Sequence, residues 1–286
     1  MTLPTAPKSA RHRQVVTTAA ISIGSITLTA LGVRKFIMVQ AKVARDAIGK
    51  PLGEDPHLAD KQYKKHYGHP LELLLLGDSI AAGLGAERPK HTLGAQLATM
   101  MAKRAKRTVR LHTAARVGSE SSMLHEQLAS LPPDYKADIA VIVVGGNDVT
   151  HRIKTSKSTG HLGEVVGELI SRGTGVVVGT CPDLGTLSPV PQPLRSLGRR
   201  ASRQLADAQR DVVTELGGRA VSLADVVGPF FVAQPDQMFA LDRFHPSSAG
   251  YRRTAKAILP SVLVALGLED QVPFGHHEPK ATDSSK

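Results

Sequence analysis

Three residues of this chain have the side chains of a nucleophilic triad. Ser79 follows an apolar run of leucines and the dipeptide Gly77-Asp78, while Asp242 and His245 stand three residues apart near the end of the globular part. A serine hydroxyl is a weak nucleophile, so it needs a base within hydrogen-bond reach and a group that orients that base. The chain therefore contains a hydroxyl, an imidazole and a carboxylate suited to acyl-transfer chemistry.

Two further residues qualify as hydrogen-bond donors for a developing oxyanion. Gly118 follows a predicted strand at 109–113, and Asn147 follows a continuously apolar strand at 139–144. With Ser79, all three stand just past strand ends, at the rim where ligands bind in an open α/β sheet. The backbone N–H groups of Ser79 and Gly118 and the side-chain amide of Asn147 are expected to converge. The alternatives are a glycine kept only for its φ angle and an asparagine that only forms a turn.

The order and separation of these motifs resemble those of the GDSL, or SGNH, hydrolase family. Ile80 stands where the name-giving leucine usually stands, and the resemblance covers roughly residues 70–268. It implies a flavodoxin-like three-layer α/β/α sandwich that hydrolyses carboxylic esters. Within the family, the chain resembles an actinobacterial cell-envelope esterase. The residues that carry the resemblance are Gly77-Asp78-Ser79, Gly118, Gly145-Gly146-Asn147-Asp148 and Asp242-Arg243-Phe244-His245.

The pattern from Leu71 onward alternates short apolar runs with stretches of helical periodicity. Such alternation is typical of right-handed crossovers and predicts an α/β fold with a parallel sheet of about five strands. After the strand that begins at Leu71, further strands are predicted at 109–113, 139–144, 175–178 and 220–223, and helices around 93–107, 162–170, 194–216 and 248–266.

The chain divides into five predicted segments. Residues 1–14 are basic, and residues 15–33 form an uncharged stretch long enough for one bilayer crossing, which favours a retained signal anchor over a cleaved signal. A buried helix is the alternative for that stretch. Residues 34–69 are expected to be a basic linker or a strap over the domain, residues 70–268 the hydrolase domain, and residues 269–286 a flexible tail.

Composition limits the classes of function. The net charge is +11, but residues 1–68 contribute +7 of it, around the apolar stretch where basic residues commonly meet anionic headgroups. Aromatic residues make up 3% of the chain, which argues against a surface that stacks nucleic-acid bases. We expect no nucleic-acid partner, no cofactor and no metal, since His276-His277 lies in a polar tail without ligand spacing. Cys181, the only cysteine, is expected to be a buried structural thiol.

These observations predict a serine esterase, membrane-anchored or exported, that acts through an acyl-serine intermediate on small-molecule, lipid or glycan esters. Scarce aromatic residues and the lack of a lid-like insertion favour short acyl chains, although the proline-rich loop 184–193 either lines an acyl pocket or covers a sheet end. Two alternatives stay open. An O-acyltransferase for envelope sugars or lipids uses the same residues, and a non-catalytic envelope binding protein uses none of them.

Overall fold

A computed structural model describes residue 32 and residues 34–280 of the 286-residue chain. The predicted basic region 1–14 lies outside the described residues, and so does the predicted anchor 15–33 apart from Gly32. Within the described ranges, no helix combines the length and the apolar character needed to cross a membrane.

Seven strands form one sheet whose five central strands are parallel. Both edge strands have only two residues and run antiparallel to their neighbours. The prediction of a parallel sheet of about five strands is therefore confirmed, with an antiparallel strand added at each edge. The strands are β1 (Gln62–Tyr63), β2 (Leu71–Gly77), β3 (Val109–Thr113), β4 (Ile139–Val143), β5 (Gly175–Gly179), β6 (Arg219–Val221) and β7 (His276–His277), in the spatial order β1-β3-β2-β4-β5-β6-β7.

Helices connect the strands and cover both faces of the sheet. The four long predicted helices all form, and several short helices lie in the loops at the carboxyl ends of the strands. The helices are α1 (residues 34–48), α2 (Ser79–Ala82), α3 (Leu93–Ala105), α4 (Leu124–Ala129), α5 (Gly146–Thr150), α6 (Thr155–Ser171), α7 (Leu194–Glu215), α8 (Leu223–Val226), α9 (Gly228–Ala233), α10 (Pro235–Met238) and α11 (Ser248–Ala265).

The alternation of side chains along β2 divides the core into two layers. Leu73 and Leu75 pack in the layer that contains α3 and α11, while Leu74 and Leu76 pack in the layer with α4 and α6. All four leucines are fully buried. A strand that is apolar on both faces is typical of a parallel sheet covered by helices on both sides, so the three-layer α/β/α architecture follows from this run.

The strand order creates a switch point at the carboxyl end of β2. From β2 the chain crosses to β3 on one side, and it then returns to form β4 on the other side of β2. The helices that follow β2 and β4 therefore diverge, which leaves a crevice above the strand ends, where doubly wound folds bind their ligands. Ser79 lies two residues after the end of β2 and stands at this crevice.

The predicted linker 34–69 is built into the domain rather than separate from it. Helix α1 contacts the start of α7 through Gln40, whose Oε1 accepts the N–H of Leu194 at 3.1 Å. Further along, β1 pairs with the edge of β3, and Tyr63 in β1 is buried in the core. A two-residue strand has no periodicity, so the local sequence did not reveal this pairing.

The predicted flexible tail 269–286 is likewise ordered in part. Strand β7 pairs with β6, and its two histidines, which the sequence places in a polar tail, are hydrogen-bonded to serines. Nδ1 of His276 lies 2.7 Å from Ser261 Oγ, and Nε2 of His277 lies 2.9 Å from Ser222 Oγ. Burial lowers the pKa of His276 to about 4. The pairing depends on a free edge of β6, which the tail sequence itself does not show.

The turn from β2 into α2 requires a glycine. Gly77 has a φ of 129°, a backbone conformation that residues other than glycine rarely adopt. A Cβ atom at this position would lie 1.9 Å from the carbonyl oxygen of Val143 in the neighbouring strand. Both the dihedral angle and the close approach of β4 therefore exclude a side chain here.

We expect Gly77→Ala to lower the free energy of unfolding by about 3 kcal/mol or more, since it adds backbone strain to a backbone clash. Gly160→Ala is the matched control, because this glycine lies inside α6 with no atom near its Cβ position. There, alanine should stabilise the helix by up to about 1 kcal/mol. Urea unfolding followed by circular dichroism measures both variants, and equal midpoints for Gly77→Ala and the wild type would show that the constraint is not as tight as described.

Candidate active site

Ser79 is the first residue of α2 and is buried at the switch point. The preceding Asp78 caps this helix, since its Oδ1 accepts the N–H of Ile80 at 2.9 Å. The backbone N–H of Ser79 belongs to the first turn of a helix, where N–H groups have no partner within the helix. Ser79 therefore presents both its hydroxyl and a free backbone donor at the rim of the sheet.

A chain of hydrogen bonds joins Ser79 to the two residues near the carboxyl end of the domain. Nε2 of His245 lies 2.9 Å from Ser79 Oγ, although 166 residues separate them in sequence. On the other side of the imidazole, Nδ1 lies 2.6 Å from Asp242 Oδ2. The structure thus brings together the three residues that the sequence singled out for a triad.

The carboxylate determines which tautomer of His245 is present. Asp242 is held by several hydrogen bonds, and its Oδ1 accepts the N–H groups of Phe244 at 2.9 Å and His245 at 3.0 Å. Burial by itself raises the pKa of Asp242, but the bonds from the His245 ring and these two N–H groups outweigh it and leave the pKa below its ordinary value. An ionised carboxylate only accepts, so Nδ1 carries the proton, and Nε2 is free to accept the proton of the Ser79 hydroxyl.

The turn that presents His245 is compact and is held by its own backbone. Arg243 has a φ of 53° inside this turn, and its N–H donates to the carbonyl of Ala240 at 2.9 Å. The N–H of Ala240 in turn donates to the carbonyl of His245 at 2.8 Å. Gly85 approaches from the serine side, where a Cβ atom would lie 2.6 Å from the carbonyl oxygen of Pro246. Close backbone packing thus sets the distance between the imidazole and the serine.

The three expected oxyanion donors occupy different surroundings. Asn147 lies at the start of α5, and one of its amide hydrogens is donated to the carbonyl of Ser119 at 2.9 Å. Ser79 and Asn147 line the same cavity. Gly118 follows β3 on the opposite flank of β2, is exposed, and has a φ of 79°. Gly118 does not line that cavity. It lies in the loop after β3, directly before Ser119.

Asp78 has an unusual electrostatic environment next to the serine. It is fully buried, and burial raises the pKa of its carboxyl to about 7, although the N–H of Ile80 and the imidazole of His245 act in the opposite direction. Both the neutral and the ionised carboxyl have an oxygen that accepts the N–H of Ile80. The cap of α2 is therefore kept across the neutral pH range, and with it the turn that presents Ser79.

A largely apolar cavity opens beside Ser79 and His245. Its walls come from the segments after β5 and β6 and from the turn that carries the histidine. The aliphatic and aromatic residues of these walls include Leu184, Leu187, Leu223, Val227, Phe231 and Phe244. Such a surface suits a hydrocarbon chain, because each buried methylene contributes about 0.8 kcal/mol.

Two expectations about this cavity change with the structure. The loop 184–193 supplies Leu184 and Leu187 to the lining of this cavity, which favours the first of its two possible roles. Although aromatic residues are scarce in the chain, Phe231, Phe239 and Phe244, half of its phenylalanines, line the cavity. Composition counts residues but does not say where they gather.

The sequence analysis missed two glutamines that are fully buried beside the strand ends. Gln127 in α4 bonds to both backbone polar groups of Gly77, each at 2.8 Å. Gln209 in α7 accepts the N–H of Cys181 at 2.7 Å and donates to the carbonyl of Val144 at 3.0 Å. The available signal was an amide at a buried position of an amphipathic helix, and such an amide requires a partner.

Cys181 is buried, as predicted for a structural thiol. Burial, with the nearby carboxylates of Asp78 and Asp148, raises the pKa of the thiol well above its ordinary value, so the sulfur stays protonated. Among residues 34–280, the structure gathers no set of three or more histidine, cysteine, aspartate or glutamate side chains suited to a metal ion.

The fold and the hydrogen-bonded serine, histidine and aspartate at its switch point define the class of protein, which is a serine esterase or lipase of the α/β type.

Comparisons with known proteins lead to the same class and narrow it. The GDSL-like lipase/acylhydrolase family matches residues 75–253. A GDSL-like esterase of Mycobacterium tuberculosis is 33% identical over 283 residues, covering 94% of this chain and 88% of the relative. The chain belongs to the GDSL-like lipase/acylhydrolase family.

Solved structures of similar fold agree with this assignment at lower sequence identity. A lipase/acylhydrolase from Enterococcus faecalis is 20% identical with a TM-score of 0.56, covering 74% of this chain and all of that one. The acetylxylan esterase Axe2 from Geobacillus stearothermophilus is 19% identical with a TM-score of 0.52, covering 70% of this chain and 95% of that one. At these identities the likeness concerns the fold.

Proposed function

We propose that this esterase hydrolyses carboxylic esters with Ser79 as nucleophile, His245 as general base and Asp242 as the group that orients the base. The observation that carries the proposal is the unbroken hydrogen-bond chain from Asp242 through His245 to Ser79, with distances of 2.6 and 2.9 Å. The 2.9 Å distance lets His245 take the proton of the Ser79 hydroxyl, and the 2.6 Å distance lets Asp242 hold the imidazole in place.

In the proposed reaction, Nε2 of His245 takes the hydroxyl proton of Ser79 while Oγ attacks the ester carbonyl. Negative charge develops on the carbonyl oxygen, and the backbone N–H groups of Ser79 and Gly118 and the amide of Asn147 stabilise it. His245 then gives the proton to the leaving alcohol, and an acyl-serine remains. Water, activated by the same imidazole, releases the acid and restores the hydroxyl.

The two alternatives predict different outcomes with the same ester. An O-acyltransferase would pass the acyl group to a sugar or lipid hydroxyl even in the presence of water. A binding protein would leave the ester intact. The lowered pKa of Asp242 and the hydrogen bond between Ser79 and His245 support an enzyme over a binding protein, and both enzymatic reactions would use them. Measuring free acid against transferred ester in the presence of a polyol separates the two enzymatic reactions.

We expect Ser79→Ala and His245→Ala to lower kcat/KM for p-nitrophenyl acetate by about 10³-fold or more, because triad members act as a unit. Asp242→Ala should retain more activity, since it only orients the base. Ser171→Ala, at the exposed end of α6, is the control and should match the wild type. Thermal unfolding of each variant separates lost chemistry from lost structure, and a folded Ser79→Ala protein with wild-type activity would exclude the serine mechanism.

We also propose a preference for short acyl chains, from acetate to about hexanoate, bound in the apolar cavity beside Ser79. Support comes from the walls of the cavity. Leu187 and Phe231 are themselves buried, with 5% and 8% of their surfaces exposed, so packing against the protein holds them in place. A bounded apolar cavity favours each methylene until it is filled and opposes longer chains afterwards.

We expect kcat/KM for p-nitrophenyl esters to rise from acetate to a maximum at or below about hexanoate. Leu187→Ala should move the maximum to longer chains by removing part of the wall. Leu197→Ala, on the exposed side of α7, is the matched control and should not move it. A wild-type maximum at dodecanoate or longer would refute the short-chain proposal while leaving the triad untouched.

We further propose that residues 15–33 tether the enzyme to a membrane at the cell envelope or direct its export. The stretch has no charged residue, and basic residues flank it on both sides. Helix α1 adds support, because it exposes Phe36, Val39 and Val43 beside the basic residues Lys35 and Lys42. Such a face is suited to the surface of an anionic bilayer.

For the full chain expressed in a bacterium, we expect activity in the membrane fraction that resists high salt and alkaline carbonate but dissolves in detergent. The double substitution Ile23→Asp and Ile26→Asp should release the activity from the membrane fraction, because each charge at the centre of a span costs about 3 kcal/mol. Replacing Thr27 with serine is the control. Wild-type activity in the soluble cytosolic fraction would refute both the tether and export.

A further inference from the structure

We propose that Gln127 is a positioning residue that fixes two of the expected oxyanion donors, the Gly118 N–H and the Asn147 amide, relative to Ser79. The inference rests on the proposed function, since it concerns the same oxyanion. Gln127 does not touch the reacting atoms. It acts through the backbone of Gly77 and the side chain of Ser119.

The first step is the bond between Gln127 and the strand that leads to the nucleophile. The Oε1 atom of Gln127 accepts the N–H of Gly77 at 2.8 Å, and its Nε2 donates to the carbonyl of Gly77 at 2.8 Å. Gln127 is completely buried. The amide therefore pairs with both polar groups of a residue two positions before Ser79, in a place that water does not reach.

The second step is the bond between Gln127 and the loop after β3. The other hydrogen of Nε2 is donated to Ser119 Oγ at 3.0 Å. Ser119 is 1% exposed and follows Gly118 directly. Gly118 itself is exposed and has no neighbouring atom within 4 Å of its Cβ position. Because Gly118 has no side chain that could anchor it, its neighbours in the chain determine where its N–H points.

The third step connects the same loop to Asn147. The carbonyl of Ser119 accepts one amide hydrogen of Asn147 at 2.9 Å, which leaves the other hydrogen available at the cavity. Ser119 thus receives Gln127 on its side chain and Asn147 on its backbone. A shift of Ser119 would turn the Asn147 amide and move the Gly118 N–H at the same time.

Other bonds hold this loop as well: the N–H of Arg116 donates to the carbonyl of Gly77 at 3.1 Å and the N–H of Ser119 to the carbonyl of Arg116 at 3.3 Å, while side chains hold its far end. The N–H of Ser121 donates to Asp148 at 3.1 Å, and Glu120 lies 2.6 Å from Nδ1 of His151. Both connect the loop to α5 or to the residue that follows it. Within the described residues, Gln127 is the side chain that hydrogen-bonds both to the β2 strand end and to the Gly118 loop. It ties Ser119 itself to the strand that leads to Ser79, whereas the backbone bond of Arg116 holds the loop three residues earlier.

The test uses the full chain with two substitutions that break the link at different points. Ser119→Ala removes only the hydroxyl that Gln127 contacts and keeps the carbonyl for Asn147. Gln127→Glu keeps the shape but removes both donated hydrogens. We expect each to lower kcat for p-nitrophenyl acetate by at least about tenfold with KM changed less than about threefold, because the donors act on charge that develops in the transition state.

A double-mutant cycle with Asn147→Ala distinguishes positioning from general loss of structure. If Gln127 acts through the donors, the fold-reduction in kcat of the double variant will be clearly smaller than the product of the fold-reductions caused by Ser119→Ala and Asn147→Ala alone. Thr174→Val is the matched control. It deletes a buried hydrogen bond to the carbonyl of Ala137 at the amino ends of β4 and β5, away from the site, and should lower thermal stability without changing kcat.

An unchanged kcat in folded Ser119→Ala, or losses that multiply fully with Asn147→Ala, would overturn the inference. If Gln127→Glu does not fold, Ser119→Ala carries the test alone. The proposed function fails separately, through an active Ser79→Ala protein. An inactive Ser79→Ala with normal Ser119→Ala would reject only the role of Gln127.

Discussion

The close approach of the backbones at the carboxyl ends of β2 and β4 is the constraint on which the site depends. Gly77 leaves no room for a side chain against the carbonyl of Val143, and it adopts a φ angle suited to glycine. The chain can therefore end the strand and begin α2 within two residues. This sharp transition puts Ser79 at the switch point, level with the ends of β3 and β4, instead of further along a helix.

Strand ends in a covered sheet leave buried backbone polar groups, and two glutamines supply their partners. Gln127 pairs with the backbone of Gly77 at the end of β2, and Gln209 connects the residues that follow β4 and β5. An unpaired buried N–H or C=O costs about 1–3 kcal/mol, so these amides stabilise the fold where the functional loops begin. Stability and geometry are thus coupled, because the bonds that satisfy the backbone also orient the loops.

The two flanks of Ser79 differ in chemistry. Toward β5 and β6 the walls are apolar, with Leu187 and Phe231 packed into the protein. Toward β3 the loop that carries Gly118 is held by hydrogen bonds through Ser119. An ester has the same two demands, since its acyl chain gains from an apolar wall while its carbonyl oxygen needs fixed donors. The strand order places the apolar wall and the hydrogen-bonded loop on opposite sides of the Ser79 hydroxyl.

The residues proposed for the chemistry, Ser79, Asp242 and His245, were singled out by their sequence motifs. The five parallel strands were evident too, because apolar runs and turn glycines are local signals of backbone geometry. Tertiary structure decided what no local pattern encodes. It brought His245 to Ser79 across 166 residues, filled the cavity wall from the loop 184–193, and added two edge strands of two residues each. It also gave Gln127 its partners. These outcomes depend on which distant segments share a strand end, and hence on topology and close packing, whereas periodicity reports only which face of an element is buried.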